Sequence, residues 1–217
     1  MFTRQLGVRS YLIKGVRGRN ARVKQNLLQP LTCLDMVVYN NPKTDLNYIK
    51  ELSHRSLHKD NPAEGGMGHS VPIENALRFF MTEVLYKSLQ EAEPLPALFD
   101  YVEDTNAQLS TPNAQLPILF LLTVARHLGL EPLDNYTSRE PLFDLQEGRF
   151  TSMATETTLP PALSSMLHNY LNLPLSSFHF PLNERTALID ALLAYYQLHL
   201  SNFRNFTSHE ILHTILK

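Results

Sequence analysis

The hydrophobic pattern changes its period once along the chain, near residues 60–70. Before that point, residues 8–16 and 30–39 are short runs rich in β-branched and aromatic residues, which is typical of strands. Residues 45–57 form a further strand or an edge segment. Beyond it, apolar residues recur at three- and four-residue steps, as they do along one face of an α-helix. The pattern predicts an α+β fold, with strands first and helices after them.

Asn-Pro and Gly-Gly dipeptides mark residues 61–70 as a linker, so we expect one domain over residues 1–60 and an α-helical domain over residues 71–217. A Glu-Gly turn between apolar residues predicts a small β-hairpin at 142–150 within the helical domain. Gly129 and Pro132 should end the third helix. The predicted helices cover residues 72–90, 95–109, 114–127, 160–171, 183–201 and 208–217.

The charges are divided between the two parts of the chain. Residues 1–59 hold eleven Lys or Arg and three acids, whereas the remaining 158 residues hold eight Lys or Arg and eighteen acids. Clustered cations raise the local concentration of phosphates, and an acidic body repels them. The N-terminal part is therefore suited to nucleic acid.

The best candidates for phosphate contacts lie in and beside one glycine-bearing loop, where cations approach a backbone closely. They are Arg9, Lys14, Arg17, Arg19, Arg22 and Lys24. The same part of the chain holds four aromatic residues that are candidates for base stacking, namely Phe2, Tyr11, Tyr39 and Tyr48. The competing interpretations are a solvated charge run for the cations and ordinary strand packing for the aromatic residues.

His209 to His213 match the H-E-x-x-H motif of zinc proteases, in which two histidines bind the metal and the glutamate acts as a base. A third ligand is expected well downstream of such a motif, and the sequence ends at Lys217. A capping box explains more of the segment, with Thr207 at the helix N-terminus and Glu210 reaching back to its exposed amide. We therefore expect no metal and no cofactor here.

No other pattern favours an enzyme or a membrane protein. The sequence has no G-x-S-x-G elbow, no P-loop and no dinucleotide-binding G-x-G-x-x-G. No apolar run approaches the roughly 20 residues that cross a bilayer, and no secretory signal is visible, so we expect a cytoplasmic protein. The single cysteine, Cys33, excludes an intramolecular disulfide and a Cys-rich zinc site.

The order of several segments resembles the RecO recombination mediators, especially their Bacteroidetes branch. In the N-terminal part the similar segments are FTRQLGVRSYLIKGVRG (2–18), LQPLT (28–32) and VVY (37–39). In the helical part they are FFMTEVLYK (79–87), LFDY (98–101), ARHLG (125–129), FDLQEGRF (143–150) and YYQLHL (195–200). The resemblance implies an N-terminal OB-fold followed by an all-α domain.

The resemblance also implies a function in the RecF pathway of DNA repair, without catalysis. The family binds single- and double-stranded DNA, anneals complementary strands and helps load RecA, with RecR and the tail of single-stranded-DNA-binding protein as partners; this implies a nucleoid-associated protein. Many members carry a four-cysteine zinc site where this chain has residues 130–151, which contain no cysteine, so zinc should be absent.

The family's barrel begins with strands that precede the point matching Phe2, so the resemblance implies an incomplete OB-fold here. Strands with unpaired edges favour pairing with another chain or local disorder. The alternative function is a protein-interaction adaptor that does not bind DNA.

Overall fold

We describe the fold from a computed structural model of the chain. The structure describes residues 1–13, 25–39, 46–55, 71–89, 93–109, 114–172 and 181–215. Its strands are β1 (Phe2–Thr3), β2 (Gly7–Val8), β3 (Ser10–Leu12), β4 (Leu34–Tyr39), β5 (Leu46–His54), β6 (Leu142–Asp144) and β7 (Arg149–Thr151). Its α-helices are α1 (Val71–Ser88), α2 (Pro96–Ala107), α3 (Leu116–His127), α4 (Pro161–Asn172), α5 (Leu182–His199) and α6 (Ser208–Ile215), and a 3₁₀ turn covers Gln25–Leu28.

The N-terminal strands form two small sheets. β1 and β2 make an antiparallel pair, and β3, β5 and β4 form a three-stranded sheet in that order. In this sheet β3 runs parallel to β5, and β4 runs antiparallel to it. Within the described ranges these strands do not close into a barrel, which agrees with an incomplete OB-fold. The α+β class that the sequence predicts is confirmed.

The single strand predicted over residues 8–16 is wrong, because the chain changes partner inside it. Val8 pairs with Phe2 in the first sheet, whereas Ser10 pairs with Leu46 in the second. Gly7 has a positive φ of 67°, a conformation that glycine adopts at little steric cost. The turn before Gly7 brings β2 back onto β1, and β3 then starts a new ladder. Residues 14–16 lie outside the described ranges.

The strand predicted over residues 30–39 begins later than expected. Thr32 donates its backbone N–H to the Gln29 carbonyl at 3.1 Å, which closes a turn. Leu31 in this turn has a φ of 56°, which is uncommon for a residue other than glycine. The turn prevents regular pairing before Leu34, so only the second half of the predicted segment is a strand.

β5 contains a bulge opposite β4. Val38 pairs with Ile49, and the next partner of β4, Val37, pairs with Glu51. Lys50 is therefore the extra residue of β5, and both Lys50 and Glu51 are exposed. Because of this extra residue, the exposed side chains of β4 and β5 lie on the same face of the sheet on both sides of the bulge.

The contacts of the chain divide it into two compact units. The first unit holds Met1–Glu74 and Leu89–Thr111, and the second holds Asn75–Ser88 and Pro112–Lys217. α2 thus lies in the first unit with the strands, although it follows the predicted linker in sequence. That linker, residues 61–70, lies outside the described residues, and a domain boundary at this point stays a prediction.

The second unit is built around a helical core. Its largest fully buried side chains include Phe80 of α1, Phe120 of α3 and Tyr196 of α5. The Tyr196 hydroxyl donates to the Leu121 carbonyl at 2.6 Å, so the ring is buried without leaving its polar atom unpaired. Gly129, with a φ of 71°, follows the end of α3 as the sequence predicts. None of the helices in the described part of the chain is long and apolar enough to cross a bilayer.

A hairpin of β6 and β7 packs its aromatic residues into the same core. Phe143 and Phe150 are cross-strand partners, both are fully buried, and their ring centroids lie 5.0 Å apart. Ser164 of α4 joins the hairpin to the helices, since its hydroxyl accepts from Phe143 N–H at 2.9 Å and donates to the Leu159 carbonyl at 3.1 Å.

Candidate nucleic-acid interface

Of the six cations predicted to contact phosphates, the structure describes Arg9. The other five, Lys14, Arg17, Arg19, Arg22 and Lys24, lie outside the described residues. Arg9 is exposed and stands between β2 and β3. Its backbone N–H donates to the Met1 carbonyl at 2.9 Å, which fixes the strand position, and its Nη1 reaches the Val8 carbonyl at 3.4 Å. This second contact is longer than a normal hydrogen bond, so the guanidinium keeps its donors for other acceptors.

Two further cations of the N-terminal part are paired with acids of α2. Arg4 donates two hydrogen bonds to the Asp100 carboxylate, and Arg55 Nη1 lies 3.4 Å from Glu103 Oε1. The hydrogen bond from Arg4 is the main reason that the pKa of Asp100 is lowered. Asp100 and Glu103 lie outside residues 1–59 and are therefore not included in the charge count of that segment. The count thus overstates the positive charge that Arg4 and Arg55 present to a ligand.

The four aromatic candidates separate into two groups. Phe2 packs on Phe99 of α2 with ring centroids 5.5 Å apart, and Tyr11 is half-buried, with a pKa that burial raises. Strand packing therefore accounts for these two. Tyr39 and Tyr48 are exposed by 60% and 43%, and the structure makes them direct cross-strand partners.

Sequence reasoning did not identify a third exposed residue that lies beside Tyr39 and Tyr48. Leu12 of β3 is the cross-strand partner of Tyr48 on the other side of β5, and it is 38% exposed. Residues directly opposite one another in a sheet point to the same face. Leu12, Tyr48 and Tyr39 therefore form one exposed row across all three strands, which we call the aromatic row. Alternation along β4 was the available signal, but the pairing with β3 was not legible in the sequence.

The H-E-x-x-H segment lies in α6, and its histidines have neighbours within the second unit. His213 Nε2 lies 3.4 Å from Asp190 Oδ1, and the His209 ring lies 5.7 Å from that of Phe206. Glu210 is exposed. Among the residues that the structure describes, no group of three His, Cys, Asp or Glu side chains is placed to hold a metal ion.

The capping box predicted for this helix is wrong, because the acid that accepts from the helix N-terminus is Glu83 and not Glu210. Thr207 N–H donates to both carboxylate oxygens of Glu83 at 3.2 Å, and Ser208 N–H donates to one of them at 2.8 Å. Burial alone would raise the pKa of Glu83, but hydrogen bonds from Ser208 and Thr207 and the charge of Lys87 outweigh it and lower the pKa. A residue of α1 thus caps α6, because the two helices meet in the tertiary structure.

Hydrogen bonds tie together the stretch where the resemblance places a zinc site in other proteins. Asn135 donates its Nδ2 to the Phe150 carbonyl at 2.9 Å and accepts from Phe150 N–H at 2.8 Å. The Asp144 carboxylate accepts from the hydroxyls of Thr155 and Thr157, each at 3.0 Å, and from two backbone amides. These side chains cross-link the hairpin to its neighbouring loops.

Comparison with known families covers both parts of the chain. The family model described as Recombination protein O N terminal matches residues 1–57, and the model described as Recombination protein O C terminal matches residues 70–207. The chain belongs to the RecO family. The resemblance to the RecO proteins is confirmed, and the first match contains the exposed Arg9 and the aromatic row.

Individual RecO proteins are similar over nearly the whole chain. DNA repair protein RecO of Porphyromonas gingivalis is 30% identical over 227 residues, which cover 99% of this chain and 90% of that protein. The protein of the same name from Bacteroides fragilis is 29% identical over 98% of this chain and 88% of its own length. The one from Christiangramia forsetii is 27% identical over 99% and 89%. Membership of this family gives the chain a role in DNA repair and recombination.

Proposed function

We propose that this RecO-family protein is a mediator of the RecF recombination pathway. It binds single- and double-stranded DNA, anneals complementary strands and helps load RecA onto single strands coated by single-stranded-DNA-binding protein. Its partners in this proposal are RecR and the C-terminal tail of the coating protein, and it works in the cytoplasm at the nucleoid. It catalyses no covalent step.

The charge division carries this proposal. Residues 1–59 hold eleven cations against three acids, and the rest of the chain is acidic, so DNA is drawn to the N-terminal part of the chain. Pairing of Arg4 with Asp100 and of Arg55 with Glu103 reduces the excess without removing it. Arg9 and the loop cations then supply the contacts, because binding to the phosphate backbone requires exposed positive charge and little else.

A salt titration with labelled single-stranded DNA tests the proposal. Affinity should fall linearly on a double-logarithmic plot as salt rises, since each phosphate contact releases condensed counterions. The triple variant Arg17→Ala, Arg19→Ala, Arg22→Ala should bind more weakly and show a slope shallower by roughly 2, from about 0.7 per lost contact.

The control removes the same charge from the acidic part, through Arg139→Ala, Arg149→Ala and Arg204→Ala, three exposed arginines of the second unit. This variant should keep the slope of the unaltered protein. Equal slopes for all three proteins, or binding that does not respond to salt, would contradict the proposal.

One observation favours the alternative of an adaptor that does not bind DNA. The second unit has a groove of about 330 Å³ lined by the exposed side chains of Phe79, Tyr86 and Ile211 beside Glu83. Exposed apolar patches of this kind are common at protein contact sites. The adaptor predicts no DNA binding at any salt concentration, so the same titration separates the two functions.

A further inference from the structure

One face of α2 contacts the strands of its own unit through four residues, which are Phe99, Asp100, Glu103 and Asn106. Their partners belong to three separate segments of the N-terminal part, at residues 2–4, 31 and 55. The outer two contacts carry no charge: the Phe99 ring packs on that of Phe2, and the Asn106 amide donates to the Leu31 carbonyl at 2.8 Å. The two carboxylates that bind arginines lie between them along the helix.

Ion pairs of this kind also serve as simple tethers between a helix and a sheet. The uncharged contacts already hold α2 in place, however, because Asn106 is buried and the Phe2 and Phe99 rings pack at 5.5 Å. The side chains of Arg4 and Asp100 are 55% and 46% exposed, and exposed ion pairs add little to stability. A tether therefore does not explain why two acids of α2 lie on two arginines of a basic segment.

Both arginines are within reach of an anion from solvent. Arg4 presents Nε and Nη2 to the two oxygens of Asp100, and the same fork of donors binds two oxygens of a phosphate group. Arg55 Nη1 is 3.4 Å from Glu103 Oε1, which is longer than a normal hydrogen bond, and the Arg55 side chain is 47% exposed. A phosphate group can therefore take the place of either carboxylate on its arginine.

Arg4 also lies close to a predicted phosphate contact. It stands in the turn between β1 and β2, whereas Arg9 follows β2 and bonds through its backbone to Met1 at the other end of the pair. Three residues of strand separate these two positions by about 10 Å. Roughly three nucleotides of one DNA strand span that distance. A strand bound at Arg9 therefore brings its phosphates to Arg4.

We propose that Asp100 and Glu103 are intramolecular substitutes for DNA phosphates, and that bound DNA takes their place on Arg4 and Arg55. The inference rests on the proposed function and adds to it two phosphate contacts and an autoinhibitory helix. In the free protein the carboxylates occupy the arginines and weaken their attraction for any other anion. A DNA strand already held by other cations presents its phosphates at high effective concentration and displaces the carboxylates, whereas an isolated phosphate ion does not.

A double-mutant cycle tests the exchange. One variant, Asp100→Asn with Glu103→Gln, releases the arginines; a second, Arg4→Ala with Arg55→Ala, removes them; a third carries all four changes. Affinity for one labelled single strand is measured at about 0.15 M salt, where charges further than about 8 Å from the DNA are screened. Thermal unfolding of each variant checks that the unit is folded.

The releasing variant should bind the single strand roughly 2- to 25-fold more tightly, because each exposed ion pair competes by up to about fivefold. Removal of both arginines should abolish this gain, so the variant with four changes should bind within about twofold of the variant that lacks only the arginines. The matched control, Glu93→Gln with Asp104→Asn, neutralises two exposed acids of the same unit and should change affinity less than about twofold.

The Arg4 Nε–H group reports the exchange in the unaltered protein. It donates to Asp100 Oδ1 at 2.7 Å, and its NMR resonance is assigned by its loss in Arg4→Lys. Saturating single-stranded DNA should shift this resonance. An equal concentration of inorganic phosphate should leave it in place, because only the strand is held by further cations.

A gain that persists after removal of both arginines, an equal gain in the control, or no gain at all would overturn the exchange and leave DNA binding intact. So would an Arg4 resonance that saturating DNA does not move, or that inorganic phosphate moves as far. If the releasing variant unfolds, the resonance decides the question. Failure of the unaltered protein to bind any DNA would instead overturn the proposed function.

Discussion

Arg4 holds the Asp100 carboxylate through two hydrogen bonds, from Nε to Oδ1 at 2.7 Å and from Nη2 to Oδ2 at 2.9 Å. The pair joins the turn between β1 and β2 to α2. Two-point contacts of this kind fix orientation as well as distance. Together with the pairing of Arg55 and Glu103, they place an acidic helix beside the strands that are proposed to bind DNA.

Release of Arg4 should strengthen DNA binding. In Asp100→Asn the guanidinium loses its charged partner, so we expect severalfold tighter binding of single-stranded DNA at low salt and a steeper salt dependence. Asp104→Asn is the control, because Asp104 is an exposed acid of the same helix and its removal changes the net charge equally. Identical gains in the two variants would show that general charge, and not the Arg4 pair, sets the affinity.

Glu83 should stabilise α6 more than Glu210 does. Glu83→Gln replaces the carboxylate that accepts from Thr207 and Ser208, so we expect a loss of about 0.5–2 kcal/mol in the free energy of unfolding, as for other helix caps. Glu210→Gln, which changes the acid of the capping box read from the sequence, should leave stability nearly unchanged. Denaturant unfolding of both variants makes the comparison. A larger loss of stability for Glu210→Gln than for Glu83→Gln would support the predicted capping box instead.

The Ser164 hydroxyl should stabilise the contact between the β6–β7 hairpin and α4. Ser164→Ala leaves the Phe143 N–H without its acceptor in a fully buried position, so we expect a loss of about 1–3 kcal/mol. Ser165→Ala, one residue further along and less buried, is the matched control and should cost little. Chemical denaturation measures both, and similar values would contradict a specific role for the Ser164 hydroxyl.

Asp144 should make stability depend on pH in the acid range. Burial alone would raise its pKa, but hydrogen bonds from Glu147, Thr157, Gln146 and Thr155 lower it below the ordinary value of 3.8. A carboxylate with a lowered pKa stabilises the folded state fully above the ordinary pKa, and this contribution is lost as the pH falls through the lowered one.

The matching variant is Asp144→Asn, which should be less stable than the unaltered protein at pH 7. The difference in Tm between the two should narrow as the pH falls from about 4 through the lowered pKa, because the unfolded chain is protonated first and the folded carboxylate only at lower pH. Glu156→Gln, which alters an exposed acid of the adjacent loop, is the control. A gap for Asp144→Asn that stays constant down to pH 2 would contradict the assignment.

The spacing of apolar residues and the positions of Pro and Gly were enough to predict most of the helices. Each described α-helix lies within one or two residues of its predicted bounds at most ends, because an amphipathic stripe and a Pro or Gly boundary are local properties. Strand predictions were less accurate. The run at 8–16 divides between two sheets at Arg9, and the run at 30–39 starts with a turn at Leu31.

The aromatic row and the neutralised cations were accessible to sequence reasoning only in part. Tyr39 and Tyr48 were recognised as candidates together with Phe2 and Tyr11, since all four are aromatic residues in a basic segment. Only the tertiary structure shows that Tyr39 and Tyr48 are exposed cross-strand partners, whereas Phe2 and Tyr11 are packed. Lys14, Arg17, Arg19, Arg22 and Lys24 stay predicted phosphate contacts.

The sequence by itself determined the order of strands and helices, the division of charge and membership of the RecO family, because these depend on residue types and their spacing along the chain. The tertiary structure decided which partners those residues have. It placed α2 among the strands, assigned Glu83 to cap α6 and aligned Leu12, Tyr48 and Tyr39 across three strands. Each of these depends on contacts between residues far apart in sequence, which one-dimensional periodicity does not encode.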